Sequence, residues 1–311
     1  MTQIRTIAIL GGGLIGASWA ALFLSRGLAV RLADPSENAA NDARQRIQAA
    51  WPHLAQLSDI PDAPPWDALF ITQDIAEACA GTDFVQECGP DRLAVKHAML
   101  AKAEPALAPT TPIASSTSSL MASEIAQDAQ YPQRILVAHP MNPPHLVPLV
   151  ELVPGSATDQ QTLDTAFDFY QSLDRVPILV KKERRGHLAN RLTSALYREA
   201  VNIVAEGIAS VEDVDRAIAN GPGLRWALMG PHLIYHLGGG AGGYRAYLDH
   251  LGPTQEARWA DLGAPRLDAA TVETLVQGLE EELKNLDPTR LTQARDDALV
   301  ALAKLKKQAG L

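Results

Sequence analysis

A short apolar run, Ile4-Arg5-Thr6-Ile7-Ala8-Ile9-Leu10, stops at Gly11-Gly12-Gly13 and gives way to a helix-length stretch from Leu14 to Arg26. After Gly27 a second run, Leu28 to Ala33, is closed by Asp34. Strand, tight turn, helix, strand is the repeating unit of a doubly wound parallel sheet, so few other folds are open to a chain that begins this way. The turn reads Gly11-x-Gly13-x-x-Gly16. That spacing is weak evidence alone and strong evidence between a strand and a helix. Gly11 permits the tight turn, Gly13 lets backbone approach a pyrophosphate, and Gly16 allows the helix to pack closely. Leu14 and Ile15 open the helix, whose N-terminal N–H groups would face the phosphate charge. Asp34 is placed to take the adenosine ribose hydroxyls and to repel a 2′-phosphate. No Arg follows it, so NAD is expected over NADP.

The pattern continues with strands expected at Asp67–Thr72, Thr82–Glu87, Thr111–Ala114, Arg134–Ala138, Val147–Val153 and Arg175–Val180. Asn38–Leu57 reads as a long helix, and Ser58–Trp66, with three prolines, as a loop. From Leu188 onward the apolar residues recur at helical spacing through Leu192, Leu196, Val201 and Val204. The expected architecture is therefore an α/β Rossmann-type domain over residues 1–184 and an all-helical domain over 185–311. Gly238-Gly239-Gly240-Ala241-Gly242-Gly243 lacks the preceding strand and the Lys of a phosphate cradle and reads as a turn between helices. With 311 residues, 47% hydrophobic and 20% charged, the chain has ample material for two cores. A formal charge of −9 argues against nucleic acid as a principal partner. No basic start precedes an apolar leader and no run is long enough to span a bilayer, so a cytoplasmic protein without membrane contact is expected. Cys79 and Cys88 make no disulfide framework and read as spectators.

One acid stands in the apolar segment Val147 to Val153, and an ionised carboxylate there is costly unless paired. Glu151 is that acid, and His139 is the evident partner. A strand ending at His139, reversed by Asn142-Pro143-Pro144, would return Glu151 to the imidazole. A carboxylate that fixes a histidine's tautomer and supports its imidazolium makes a general acid/base. A structural His with a satisfied core Glu is the alternative. Ser115-Ser116-Thr117-Ser118-Ser119 follows the strand ending at Ala114, where ligands of parallel sheets gather. Those hydroxyls can hold a substrate alcohol or cap the next helix. His232 and His236 have zinc-helix spacing but lack the accompanying Glu and a third ligand, so no metal is expected.

The nucleotide turn, the Ser/Thr run, His139 to Glu151 and the later Gly186-x-x-x-Asn190-Arg191 occur in the order and spacing of the 3-hydroxyacyl-CoA dehydrogenase family, which the chain resembles along essentially its whole length. It looks closest to the branch of lambda-crystallin, an L-gulonate 3-dehydrogenase, with carnitine 3-dehydrogenase another near relative. The resemblance implies that His139 is the catalytic base, Glu151 its orienting partner, Ser118 a ligand of the substrate oxygen and Asn190 a further polar group at the reacting carbon. It also implies cofactor contacts from Asp91, where the family usually has Glu, and from Lys96. His187 stands where the family usually has Phe. Members acting on coenzyme A thioesters resemble Gly-x-Pro-Met-Gly-Pro where this chain reads Gly223 to Pro231, with Arg225 at an otherwise uncharged site. A guanidinium suits a free carboxylate, with Trp226 walling the same pocket; a structural salt bridge is the other role open to Arg225. The expectation is NAD-dependent oxidation of a small free L-3-hydroxy acid such as L-gulonate. The alternatives are carnitine, a 3-hydroxyacyl-CoA, or a non-catalytic NAD-binding structural protein. A homodimer through the helical domain is implied by family analogy.

Overall fold

The computed structural model describes residues 4–284 and 286–311. In chain order the first half runs β1 (Thr6–Leu10), α1 (Leu14–Ser25), β2 (Ala29–Ala33), α2 (Ala39–Leu57), β3 (Leu69–Thr72), α3 (Ile75–Cys79), β4 (Phe84–Glu87), α4 (Leu93–Ala103), β5 (Ile113–Ser115), α5 (Ala122–Ile125), β6 (Ile135–Pro140), β7 (Leu149–Pro154), α6 (Gln160–Ser172) and β8 (Val176–Leu179). The strands form one sheet in the order β3-β2-β1-β4-β5-β6-β7-β8. Neighbours are parallel except β6 and β7, which are antiparallel.

Alternation along the strands builds a core on each face of this sheet. Ile7, Ile9, Leu32, Leu136, Ala138 and Leu152 face one way, onto Trp19 and Phe23 of α1 and Phe169 and Tyr170 of α6. Ala8, Leu10, Val85, Ile113, Ile135 and Val137 face the other, toward Cys79 and Leu100. Helix α1 is buried without a break from Gly16 to Leu24, because it lies between the sheet and α2. Each fully buried large side chain here contributes about 1.5 to 3 kcal/mol.

The second half is helical: α7 (Ala189–Ala205), α8 (Val211–Asn220), α9 (Pro222–Trp226), α10 (Pro231–Gly238), α11 (Gly243–Asp261), α12 (Ala269–Leu283) and α13 (Pro288–Ala309). The chain divides into two compact units, the first running to Arg191 and the second from Leu192. The segment Gly186–Asn190, expected to open the second domain, thus belongs with the first. Its backbone and side chains are hydrogen-bonded to the sheet side, as described below. The glycine-rich stretch at 238–243 forms the turn between α10 and α11.

Candidate active site

The β6–β7 hairpin puts His139 directly opposite Glu151 in the antiparallel register. Asn142-Pro143, inside the connection, is a cis peptide bond. His139 Nδ1 lies 2.7 Å from Glu151 Oε2. A carboxylate only accepts, so Nδ1 carries the hydrogen and Nε2 is left with a lone pair. The other carboxylate oxygen, Oε1, accepts from the backbone N–H groups of Leu188 and Ala189, each at 2.8 Å, where α7 begins. Glu151 is fully buried. Burial alone would raise its pKa, but the hydrogen bond from His139 and the N–H groups of Ala189 and Leu188 outweigh it and hold the carboxyl below its usual range. The acid is therefore ionised, paired and aimed, as a base-orienting group must be.

His139 opens onto a cleft of about 360 Å³ that Ser118, Asn190, Asp91, Ile15 and Met141 also line. The three polar groups are tied together. Asp91 accepts from the N–H and the hydroxyl of Ser118 at 3.1 and 3.0 Å, and Asn190 Nδ2 donates to the Ser118 carbonyl at 3.4 Å. Burial pushes the Asp91 pKa up, yet hydrogen bonds from Thr117 and Ser118 and the nearby Lys96 ammonium bring it down overall. An ionised Asp91 thus borders the cleft, and no Lys or Arg is among its described lining residues.

A larger groove, about 1390 Å³, holds Gly11, Gly13 and Asp34, and meets the cleft at Cys88 and Gly89. Gly11 has φ +106°, and a Cβ there would lie 2.8 Å from the Cys88 carbonyl oxygen. A Cβ on Gly16 would collide with the Gly11 carbonyl oxygen, whereas one on Gly13 would meet nothing within 4 Å. Gly13 is therefore open where a pyrophosphate would approach. Asp34 closes the turn from below, accepting from Gly12 N at 2.7 Å and Ser36 N at 3.0 Å. These features fit NAD: an open glycine turn at a helix start, an acid at the end of β2, and a groove running on to the imidazole.

Two family models cover most of the chain: the 3-hydroxyacyl-CoA dehydrogenase NAD binding domain over residues 6–184 and the 3-hydroxyacyl-CoA dehydrogenase C-terminal domain over 186–275. The chain belongs to the 3-hydroxyacyl-CoA dehydrogenase family. It is similar to the L-carnitine dehydrogenase of Nocardiopsis dassonvillei, 42% identical over 97% of this chain and 91% of that protein. The L-carnitine dehydrogenase of Bacillus cereus is 40% identical over 97% of this chain and 93% of its own. Among solved structures, 5-formyl-3-hydroxy-2-methylpyridine 4-carboxylic acid 5-dehydrogenase, an NAD+-dependent dismutase, matches with a TM-score of 0.85 at 29% identity, covering 98% of this chain and 99% of that one. This is an NAD-dependent dehydrogenase.

Within the dehydrogenase, Lys96 sits beneath the site. Its ammonium is completely buried, 2.7 Å from Glu87 Oε2 and 3.2 Å from the Gly89 carbonyl, and it lines neither cavity. It braces Glu87 and, at 3.6 Å, Asp91. Glu87 is the residue that the sequence reading missed. It ends β4, is buried, and also accepts from the Ser115 hydroxyl and from Gly89 N. A lone acid closing an apolar strand was the available signal, the same one that marked Asp34. Leu14 is largely exposed at the start of α1, and Ile15 reaches the smaller cleft. Cys79 is packed in the core, but Cys88 walls both cavities. Burial pushes its thiol up to about 12, so it presents a neutral surface. Arg225 lies on α9 of the second unit, bordering a depression with Leu228, Met229, Ile234 and Leu237. His232 and His236 are occupied by Tyr244, the first through the phenol and the second through the backbone N–H.

Proposed function

We propose that the protein oxidises a small free L-3-hydroxy acid to the 3-keto acid, with L-carnitine as the leading substrate. The observation that carries the chemistry is the buried His139–Glu151 pair with its free Nε2 beside Ser118 and Asn190. His139 Nε2 takes the hydroxyl proton, Glu151 stabilises the imidazolium that results, and Ser118 and Asn190 position the substrate oxygen. NAD, when bound, accepts the hydride that leaves the same carbon.

The choice of carnitine over L-gulonate rests on two supports. Relatives matching nearly the whole chain at about two-fifths identity are L-carnitine dehydrogenases. The cleft borders an ionised Asp91, backed by Lys96 from outside the cavity, with no cation among its described lining residues, which suits a zwitterion bearing a quaternary ammonium better than a polyhydroxy anion. The carboxylate common to all these substrates is assigned to Arg225, and the same guanidinium speaks against a thioester. An intact His139, Glu151, Ser118 and Asn190 set weighs against a purely structural role. Asp34 is assigned to the ribose hydroxyls and NAD preference, and Asp91 to the nicotinamide end of the groove. We assign self-association to the helical unit and place the protein in the cytoplasm; no helix among the described residues is long and apolar enough to cross a membrane.

The test is NADH formation with L-carnitine, L-gulonate, L-3-hydroxybutyrate and 3-hydroxybutyryl-CoA. L-Carnitine should give the highest kcat/KM. A preference for the thioester would overturn the role given to Arg225, and no turnover on any of the four would remove the catalytic reading.

A further inference from the structure

His187 stands where the family resemblance leads one to expect Phe, and the structure gives its imidazole specific partners. Its Nε2 lies 3.0 Å from the carbonyl oxygen of Thr117. A carbonyl only accepts, so Nε2 carries the hydrogen. The ring is 2% exposed, and its other nitrogen, Nδ1, is buried without a hydrogen-bond partner among the described residues. The opposite side of the ring meets the base, with the His187 and His139 centroids 5.2 Å apart and the planes tilted by 50°.

The backbone at this point is equally specific. Gly186 and His187 both have left-handed φ, +78° and +47°. That conformation is easy for glycine and strained for a residue with a β-carbon, so it persists only where surrounding contacts over-determine it. Here the next residues supply those contacts. Leu188 N and Ala189 N hold Glu151, Asn190 holds the Ser118 carbonyl, and His187 itself holds the Thr117 carbonyl. Thr117 in turn anchors the turn that presents Ser118, its hydroxyl accepting from Leu120 N at 3.1 Å.

We infer that His187 is a positioning residue that fixes the Ser118-bearing loop relative to the catalytic imidazole. Its side chain both hydrogen-bonds that loop and packs on His139. The groups facing it are His139, Glu151 and Asp91 together with the Thr117 carbonyl; burial is the largest influence on its own titration and lowers its pKa, keeping the ring neutral beside a base that must accept a proton. A phenyl ring in its place would retain the stacking surface but leave the Thr117 carbonyl without this donor. The hydroxyl of Ser118 would then be held less well against His139 Nε2, and the error would appear in the reacting geometry rather than in cofactor binding.

The inference rests on the dehydrogenase reading but not on which acid is the substrate, so the comparison is made on whichever free 3-hydroxy acid the wild type turns over. Three variants separate the contributions. His187→Phe keeps a ring and loses the donor; His187→Gln loses the ring but can place an amide N–H near the Nε2 position. His187→Asn is at ease at positive φ yet too short to reach Thr117. Expected for Phe and Asn are a fall in kcat of about 10-fold or more, a larger primary deuterium isotope effect with substrate deuterated at the carbinol carbon, and an NAD Kd within about twofold of wild type. The Gln variant should recover at least half of the loss on a logarithmic scale. Unchanged kcat and isotope effect in whichever of Phe and Asn folds would overturn the inference. So would an equal loss in Gln and Asn, since the hydrogen bond to Thr117 would then not be what matters. An inactive wild type on every free acid would fail the proposed free-acid reading instead, a result distinguishable from either.

Discussion

The two units differ in how they treat their apolar residues. In the first, two dense clusters fill both faces of the sheet, and the exposed apolar side chains of α1 and the strands are confined to Leu14 at the helix start and to the edge strands β3 and β8. In the second, Val201, Val204, Ile234 and Val300 are the only hydrophobic residues buried among those described, while Leu192 is 62% exposed, Tyr197 56%, Trp259 62% and Leu267 65%. Isolated exposed leucines are ordinary, but this many on amphipathic helices are what a surface covered by a second copy would present. Leu192 and Leu196, one turn apart on α7, continue the four-residue spacing from Leu188 just before the helix, and all three are exposed. The first unit carries its own cores, whereas the exposed apolar faces of the second are the basis of the self-association proposed above.

If that contrast holds, damage to the chemistry should be confined to the first unit. His139→Gln should lower kcat by about 10² to 10⁴, the range for loss of a general base, with NAD affinity and oligomeric mass unchanged. Calorimetry showing a parallel loss of NAD binding would make His139 a structural residue instead. The converse experiment attacks the helical face. Replacing Leu192 and Leu196 together by Glu removes two side chains worth about 1.5 to 3 kcal/mol each if covered by a second copy, and so should weaken self-association at least ~100-fold. Light scattering should show the mass halved while NAD still binds; a wild-type monomer would break the comparison outright.

Arg225 tests whether the second unit also reads the substrate. Loss of a charged hydrogen bond costs roughly 1.5 to 3 kcal/mol, so Arg225→Met should reduce affinity for the free acid about 10- to 150-fold without altering that for NAD. Equal losses on the acid and on its amide would show that the guanidinium is not gripping a carboxylate. The smallest effect expected is on stability against pH. Glu151 is held below its ordinary value of 4.5, so its contribution is present above that pH and is lost as pH falls through the depressed folded-state value. Thermal melting followed from pH 7 into the acid range should therefore decline more steeply for the wild type than for Glu151→Gln. Parallel curves would mean that Glu151 contributes nothing to the acid sensitivity.

Much of the first unit was readable because its signals are local. Apolar runs punctuated by Gly, Pro or a closing acid correspond to all eight strands, since a parallel strand buried on both faces must be continuously apolar. The His139–Glu151 pairing was readable for the same reason: a hairpin is a short-range object, and a lone acid in an apolar return strand has to meet a partner. Ser118 and Asn190 were named through family resemblance, and their mutual contact came only with the fold.

What tertiary structure alone decided are the polar ties between segments distant in sequence. Lys96 pairs with Glu87, on a different element, because a buried acid without a cation is costly. Asp91 is tied to Ser118, and the residues from His187 to Asn190 join the first unit because their partners lie at Thr117, Ser118 and Glu151. By itself the sequence determined the sheet, the nucleotide turn and the hairpin that builds the base, all through periodicity and short-range turns. Which charged groups face the cleft and which are spent inside it was left to the fold, because an unpaired buried charge selects its partner by proximity in space, and no local pattern encodes that.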